Sequence, residues 1–139
     1  MVSIKKILVV DDEPGIRALL SDVLSSPERH VTLASDGLEA VRELRERRYD
    51  AVVTDVNMPG MNGIDLLRWM KKNKRREKTV VMSGSSRHDL LPAQGLPPVR
   101  ARFRKPFRIT AFMKTMEEVL ADSKQGAGRR LPAERKGTA

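Results

Sequence analysis

A chain of 139 residues with no cysteine and a formal charge of +9 is long enough for one ordinary domain with a real core and too short for a second catalytic domain. The missing cysteines exclude a disulfide scaffold and thiolate metal sites. No apolar stretch approaches the roughly 18 residues of a membrane span, and Met1 to Lys6 lacks the layout of a signal peptide, so the sequence predicts a soluble, unexported, cytoplasmic protein. The positive excess can draw in nucleic acid or an acidic partner but carries no information on fold.

In chain order, the apolar run Ile7 to Val10 stops on Asp11 and Asp12. Asp12-Glu13-Pro14 reads as a helix start, with acids in the first turn and proline near the first helical position. Ile16, Leu19, Leu20, Val23 and Leu24 then form an apolar stripe. Val31 to Ala34 is a second short strand, and Ser35-Asp36-Gly37 opens a helix whose Leu38, Val41 and Leu44 recur at helical spacing above a charged Arg42 to Arg48 surface. Ala51 to Thr54 ends at Asp55, and Asn57-Met58-Pro59-Gly60-Met61-Asn62-Gly63 follows as a loop dense in turn formers. A helix carrying Ile64, Leu67 and Met70 comes next.

The fourth run, Val80 to Met82, ends on Ser83-Gly84, and a weaker extended segment ends at Lys105. Between them Leu90 to Pro98 contains three prolines and a glycine, where an interior proline costs about 3 kcal/mol. The helix expected there is short or irregular. Ile109, Phe112, Met113, Met116, Val119 and Leu120 share one face of a last helix. The periodic pattern covers residues 1–122, and residues 123–139, with Arg129, Arg130, Arg135 and Lys136, read as a disordered basic tail.

Short apolar runs alternating with helix-period stretches predict an α/β fold with buried parallel strands and crossover helices. Ligands in such sheets sit beyond the carboxyl ends of the strands, so Asp11, Asp12, Asp55, Ser83 and Lys105 would face one crevice. Three carboxylates, an ammonium and a hydroxyl suit a divalent cation and a phosphoryl group. Each carboxylate pair repels by about 4 kcal/mol at about 4 Å and an effective dielectric of about 20, which a cation or a proton relieves. Mg²⁺ meets that need with a few oxygen ligands and retained waters. Asp55 is placed to be both ligand and nucleophile, and a carboxylate attacking phosphorus gives an acyl phosphate; standing alone it would read as an ordinary turn aspartate. Lys105 offers a point charge. Ser83 offers a rotatable hydroxyl, with Gly84 leaving room for backbone N–H groups near an anion.

Asp11-Asp12, Asp55, Asn57 to Gly63, Ser83-Gly84 and Lys105-Pro106-Phe107 together resemble the receiver domain of bacterial two-component response regulators over roughly residues 4–122. The resemblance implies a flavodoxin-like (βα)5 sandwich with strand order 2-1-3-4-5 and phosphorylation of Asp55 by a partner histidine kinase. It implies Asp12, Asp55 and the Asn57 carbonyl as direct Mg²⁺ ligands, with Asp11 acting through water. It also implies a cis bond before Pro106, a Ser83 hydroxyl that moves to the phosphoryl group, and kinase docking near Ile16, Leu20 and the Pro106 loop. The chain departs from the family at Arg102, where a tyrosine or phenylalanine is usual. Strand alternation places Ala101, Phe103 and Lys105 on one face and Arg100, Arg102 and Arg104 on the other. With the irregular fourth helix, this predicts a basic, partly open face on the fifth strand; a milder arrangement lays the arginine stems along the sheet edge with their heads in water.

Arg68 to Lys78 holds seven bases against one acid, which reads as a solvated helix end; with no aromatic platform or groove-reading motif, the sequence argues against nucleic acid as a partner. His30 and His88 lack ligand spacing, and Trp69 reads as packing. A flavin or nucleotide binder would need a glycine pattern absent after the first strand. The same residue types also leave open a metal-dependent phosphohydrolase, or a basic adaptor for DNA or an acidic partner. The sequence predicts first a phosphoacceptor rather than an enzyme, using Mg²⁺, partnered by a sensor histidine kinase and a protein target, off the membrane, and monomeric or weakly dimeric.

Overall fold

The computed structural model describes residues 3–84 and 99–121. The proline-rich helix expected between Leu90 and Pro98, His88 and the tail at 123–139 lie outside the described residues. Strands that are apolar on both sides need cover on both sides, and the chain supplies it by alternating strand and helix. The order is β1 (Lys5–Val10), α1 (Pro14–Leu24), β2 (Arg29–Ala34), α2 (Gly37–Glu46), β3 (Ala51–Asp55), α3 (Gly63–Lys72), β4 (Lys78–Ser83), β5 (Val99–Arg104) and α4 (Ile109–Ala121). All strand pairs are parallel, and the sheet order is β2-β1-β3-β4-β5.

Period-two alternation splits the interior into two cores. Leu8, Val10, Val52 and Val81 point to the side covered by α2 and α3, where Ala40, Leu44, Leu66, Leu67 and Met70 meet them. Ile7, Val9, Val53, Val80 and Met82 point to the side of α1 and α4, against Leu20, Leu24, Phe112 and Met116. Phe103, Phe107 and Phe112 close this second core with ring centroids 5.2–5.4 Å apart.

The helix starts follow capping chemistry. Asp36 accepts from the Glu39 N–H at 2.8 Å, and Asn62 and Asp65 form a reciprocal capping box at the start of α3. At α1 proline takes the first turn as predicted, but Asp12 and Glu13 precede the helix, and its first turn carries no acid. Two predicted core positions face water instead: Leu38 is 60% and Leu19 is 41% exposed. Leu20 is fully buried, so it cannot belong to a docking surface. Trp69 packs at the margin of the α2/α3 core.

Strict alternation fails once, in β5. Thr79 pairs with Val99 and Val80 with Ala101, so Arg100 is an extra residue in the outer strand, a bulge. Val99 thereby joins the α2/α3 core while Ala101 and Phe103 pack toward α1 and α4. Arg102 stands opposite Val81, and it and Arg104 are exposed whereas Arg100 is half-buried. At the opposite end of the strands, buried Glu77 accepts the Tyr49 N–H at 3.0 Å and two guanidinium bonds from Arg75 at 3.1 and 2.7 Å. One carboxylate thus ties the connection before β3 to the connection before β4.

Two glycines set the loop between β3 and α3. A Cβ on Gly63 would overlap the Asp55 carbonyl oxygen, and one on Gly37 would collide with Met61. The Gly63 N–H donates to the Val56 carbonyl at 3.1 Å and the Gly37 N–H to that of Met61 at 3.2 Å. Gly63→Ala is expected to cost about 1–3 kcal/mol through overpacking of backbone on backbone, seen as a lowered midpoint in urea unfolding. A midpoint equal to that of the unsubstituted chain would show that the loop yields freely.

Candidate functional site

Parallel strands deliver their last residues to one edge of the sheet, and four of them place the predicted side chains together. Asp11 follows β1 and is fully buried, Asp55 closes β3 and is 4% exposed, and Ser83 closes β4 and is fully buried. Lys105 follows β5, and the Lys105–Pro106 peptide is cis, as the resemblance implied. Asp12 is exposed beside them. One carboxylate oxygen each from Asp11, Asp12 and Asp55 lies within 4.8 Å of the others. Opposite oxygens around an octahedral Mg²⁺ are about 4.2 Å apart, twice a bond of roughly 2.1 Å. The three acids are therefore close to the spacing of a shared cation, and a set of hard oxygens suits Mg²⁺ rather than a thiolate-seeking metal.

The Lys105 ammonium sits among these acids. Its Nζ donates to Asp11 Oδ2 at 2.8 Å, to Asp55 Oδ2 at 3.3 Å and to Glu13 Oε1 at 3.4 Å. Burial pushes the Asp55 carboxyl above its ordinary value; the Lys105 charge opposes this and the Asp11 charge adds to it. For Lys105 burial pulls the other way, but the hydrogen bond to Asp11 and the charge of Asp55 outweigh it, and the ammonium is held more firmly than usual.

Asn57 links the remaining pieces. Its backbone N–H donates to Asp55 Oδ1 at 3.3 Å, and its side-chain amide donates to Ser83 Oγ at 3.3 Å. All six predicted site residues are thus gathered at one edge. Sequence reading missed four others. Glu13 is a third acid on Lys105, and its N–H donates to Asp11 Oδ1 at 2.9 Å. Arg17 donates to the Asp11 carbonyl at 2.7 Å from the first turn of α1, and Gly37 and Gly63 hold the Asn57 loop. The spacing of Arg17 from Asp11 places it one helical turn above a strand end, but an arginine on an exposed helix face is too common to single out. Gly63 directly after a capping asparagine was the better signal.

Residues 7–117 match the model of the response regulator receiver domain. Sporulation initiation phosphotransferase F of Bacillus subtilis is 31% identical over 116 residues, which are 84% of this chain and 94% of that protein. The response regulator TrrA of Thermotoga maritima, solved in complex with Mg(2+)-BeF, aligns with a TM-score of 0.73 at 29% identity over 84% of this chain and all of that one. A CheY-like receiver from Methanospirillum hungatei superposes with a TM-score of 0.79 over 91% of this chain and all of its own; at 22% identity it speaks for the fold alone. With five parallel strands in the order 2-1-3-4-5, an acidic cluster at their carboxyl edge and a family match over most of its length, this chain belongs to the receiver domains of two-component response regulators.

Proposed function

We propose that this chain accepts a phosphoryl group on Asp55 from the phosphohistidine of a sensor histidine kinase and passes the change to a protein target. The observation that supports this most directly is the Lys105 ammonium bridging buried Asp11 and Asp55, a counter-charge poised where a phosphoryl oxygen would arrive. Asp12, Asp55 and the Asn57 carbonyl would hold Mg²⁺, with Asp11 acting through water; Mg²⁺ supplies charge neutralisation for the acids and the transferring oxygens. Its presence with BeF in the Thermotoga maritima relative favours the same cation here.

Transfer makes one bond and breaks one. An Asp55 carboxylate oxygen attacks phosphorus, the P–N bond to the kinase imidazole breaks, and the imidazole leaves with the bonding pair and takes up a proton. Asp55 is then an acyl phosphate. Its contacts to Asn57 and Lys105 are both 3.3 Å long, so its lone pairs are not tightly committed. The new group adds about −1.5 to −2 charges. Lys105 follows that charge away from Asp11, and the Ser83 hydroxyl exchanges the amide of Asn57 for a phosphoryl oxygen. Ile16, which is partly buried, the exposed Leu19 and the Pro106 loop form the kinase-facing surface. The chain does not turn over exogenous esters in this reading.

Incubation with acetyl phosphate and Mg²⁺ is expected to add one base-labile, acid-stable phosphate that is absent from Asp55→Asn; steady release of phosphate from simple esters would instead mark a phosphohydrolase. The raised Asp55 carboxyl, above 3.8, makes a second prediction. The folded chain binds that proton more tightly than the unfolded chain, so ionised Asp55 opposes folding at neutral pH, and this penalty fades as pH falls through the folded value. Without divalent cations Asp55→Asn should therefore melt higher than the wild type at pH 7, with the gap narrowing toward pH 4. Mg²⁺ should reverse the order, stabilising the wild type by about 1.4 kcal/mol at ten times its dissociation constant and the variant far less. A wild-type melting temperature indifferent to Mg²⁺ would remove the cation from the site.

A further inference from the structure

Because α2 and α3 both cross from the carboxyl edge of one parallel strand to the amino edge of the next, and pack side by side, their last turns end together at the pole opposite Asp55. Arg45 and Arg48 stand there at the end of α2, and Lys71, Lys72, Lys74 and Arg76 at and after the end of α3, all exposed. The neighbouring acids are already engaged: Glu43 and Glu46 pair with Arg47 and Glu77 with Arg75, and the Asp50 carboxylate accepts the Lys6 N–H at 2.7 Å. None of the six bases is ion-paired among the described residues. Along the sequence they form a solvated helix end; in three dimensions two helices add their charges into one uncompensated patch.

A second observation concerns Lys74. Its φ is 55°, in the left-handed region that a helix terminus normally assigns to glycine or asparagine, and its N–H donates to the Lys71 carbonyl at 3.0 Å. A lysine stands at a position that disfavours its backbone, and strain of this kind points to a use for the side chain.

We infer that this pole is a docking surface for the sugar–phosphate backbone of nucleic acid, bound without regard to base sequence. The chemistry of the patch selects that occupant. A protein interface needs apolar anchors at its centre and a membrane surface needs apolar residues to insert, whereas a polyphosphate needs only clustered cations. The exposed large hydrophobics, Ile4, Leu19, Leu33 and Leu38, belong to the residue before β1, to α1, to β2 and to the start of α2, and Trp69 in the last turn of α3 is half-buried against the α2/α3 core. The patch lies away from the phosphoacceptor edge, so this inference and the proposed phosphotransfer stand or fall separately.

Fluorescence anisotropy of the full chain with a labelled mixed-sequence duplex of about 20 base pairs tests it. Three phosphate contacts predict an affinity that falls about 40-fold between 50 and 200 mM salt, with little change when the sequence is scrambled. Lys71→Gln/Lys72→Gln should weaken binding about tenfold at 50 mM salt and flatten the salt dependence by about two contacts, while still accepting phosphate from acetyl phosphate. Lys114→Gln, which removes an exposed charge from α4, should stay within twofold of the wild type. Lys74→Gly should melt higher yet bind more weakly, a combination that a purely structural lysine does not produce. The inference is overturned if the duplex is not bound at 50 mM salt, or if the double variant binds like the wild type. It is equally overturned if a polyglutamate peptide or phosphatidylserine vesicles bind more tightly than the duplex at equal charge, which would assign the surface to an acidic protein or a membrane.

Discussion

Two carboxylates buried a few ångströms apart, with a single ammonium between them, set the terms for this molecule. Asp11 and Asp55 end adjacent parallel strands, so sheet geometry forces them together, and burial removes the water that would screen their repulsion. The Lys105 charge pulls the Asp55 carboxyl down, but burial pushes it up by more, and it stays above its ordinary value. Among the described residues, Asp11, Asp12, Glu13 and Asp55 gather around one ammonium there. The acids and the lysine come from strands whose sequence positions span most of the chain, so the site exists only when the whole sheet is in register.

Much of this is legible in the order of residues alone, because strand ends are marked by a change from apolar to polar side chains that the eye can follow. Asp11, Asp55, Ser83 and Lys105 all stand at such changes, and the sheet order comes with the family resemblance. What escapes is of two kinds. Leu19 and Leu38 fit a helical period but lie on its margin, and periodicity cannot say how far a neighbouring element extends to cover them. Arg100 escapes because alternation assumes one residue per rung of the ladder, and a bulge breaks that assumption without leaving a glycine to announce it. Glu13 and Arg17 are invisible for a simpler reason: their partners are a side chain far along the sequence and a carbonyl, and neither leaves a pattern.

The charge distribution is polar in the literal sense. The carboxyl edge of the sheet gathers Asp11, Asp12, Glu13 and Asp55, while the ends of α2 and α3 gather bases at the amino edge. The same parallel topology that assembles the acids also assembles the bases, since each crossover helix begins near one edge and finishes near the other. The separation keeps the basic patch from neutralising the acidic cluster, whose carboxylates are met, among the described residues, by the Lys105 ammonium.

The surplus residue in β5 has a bearing on solubility as well as on side-chain direction. An outermost strand with a regular ladder offers unpaired amides and carbonyls to any passing extended peptide, and such an offer invites fibre growth. Here the ladder is broken at Arg100, and the guanidinium groups of Arg102 and Arg104 project from the same rim. A second molecule trying to extend the sheet from that side would meet a kinked template and a repelling row of cations. The feature that upset the simple face assignment thus also makes the described part of this rim a poor template for adding another strand.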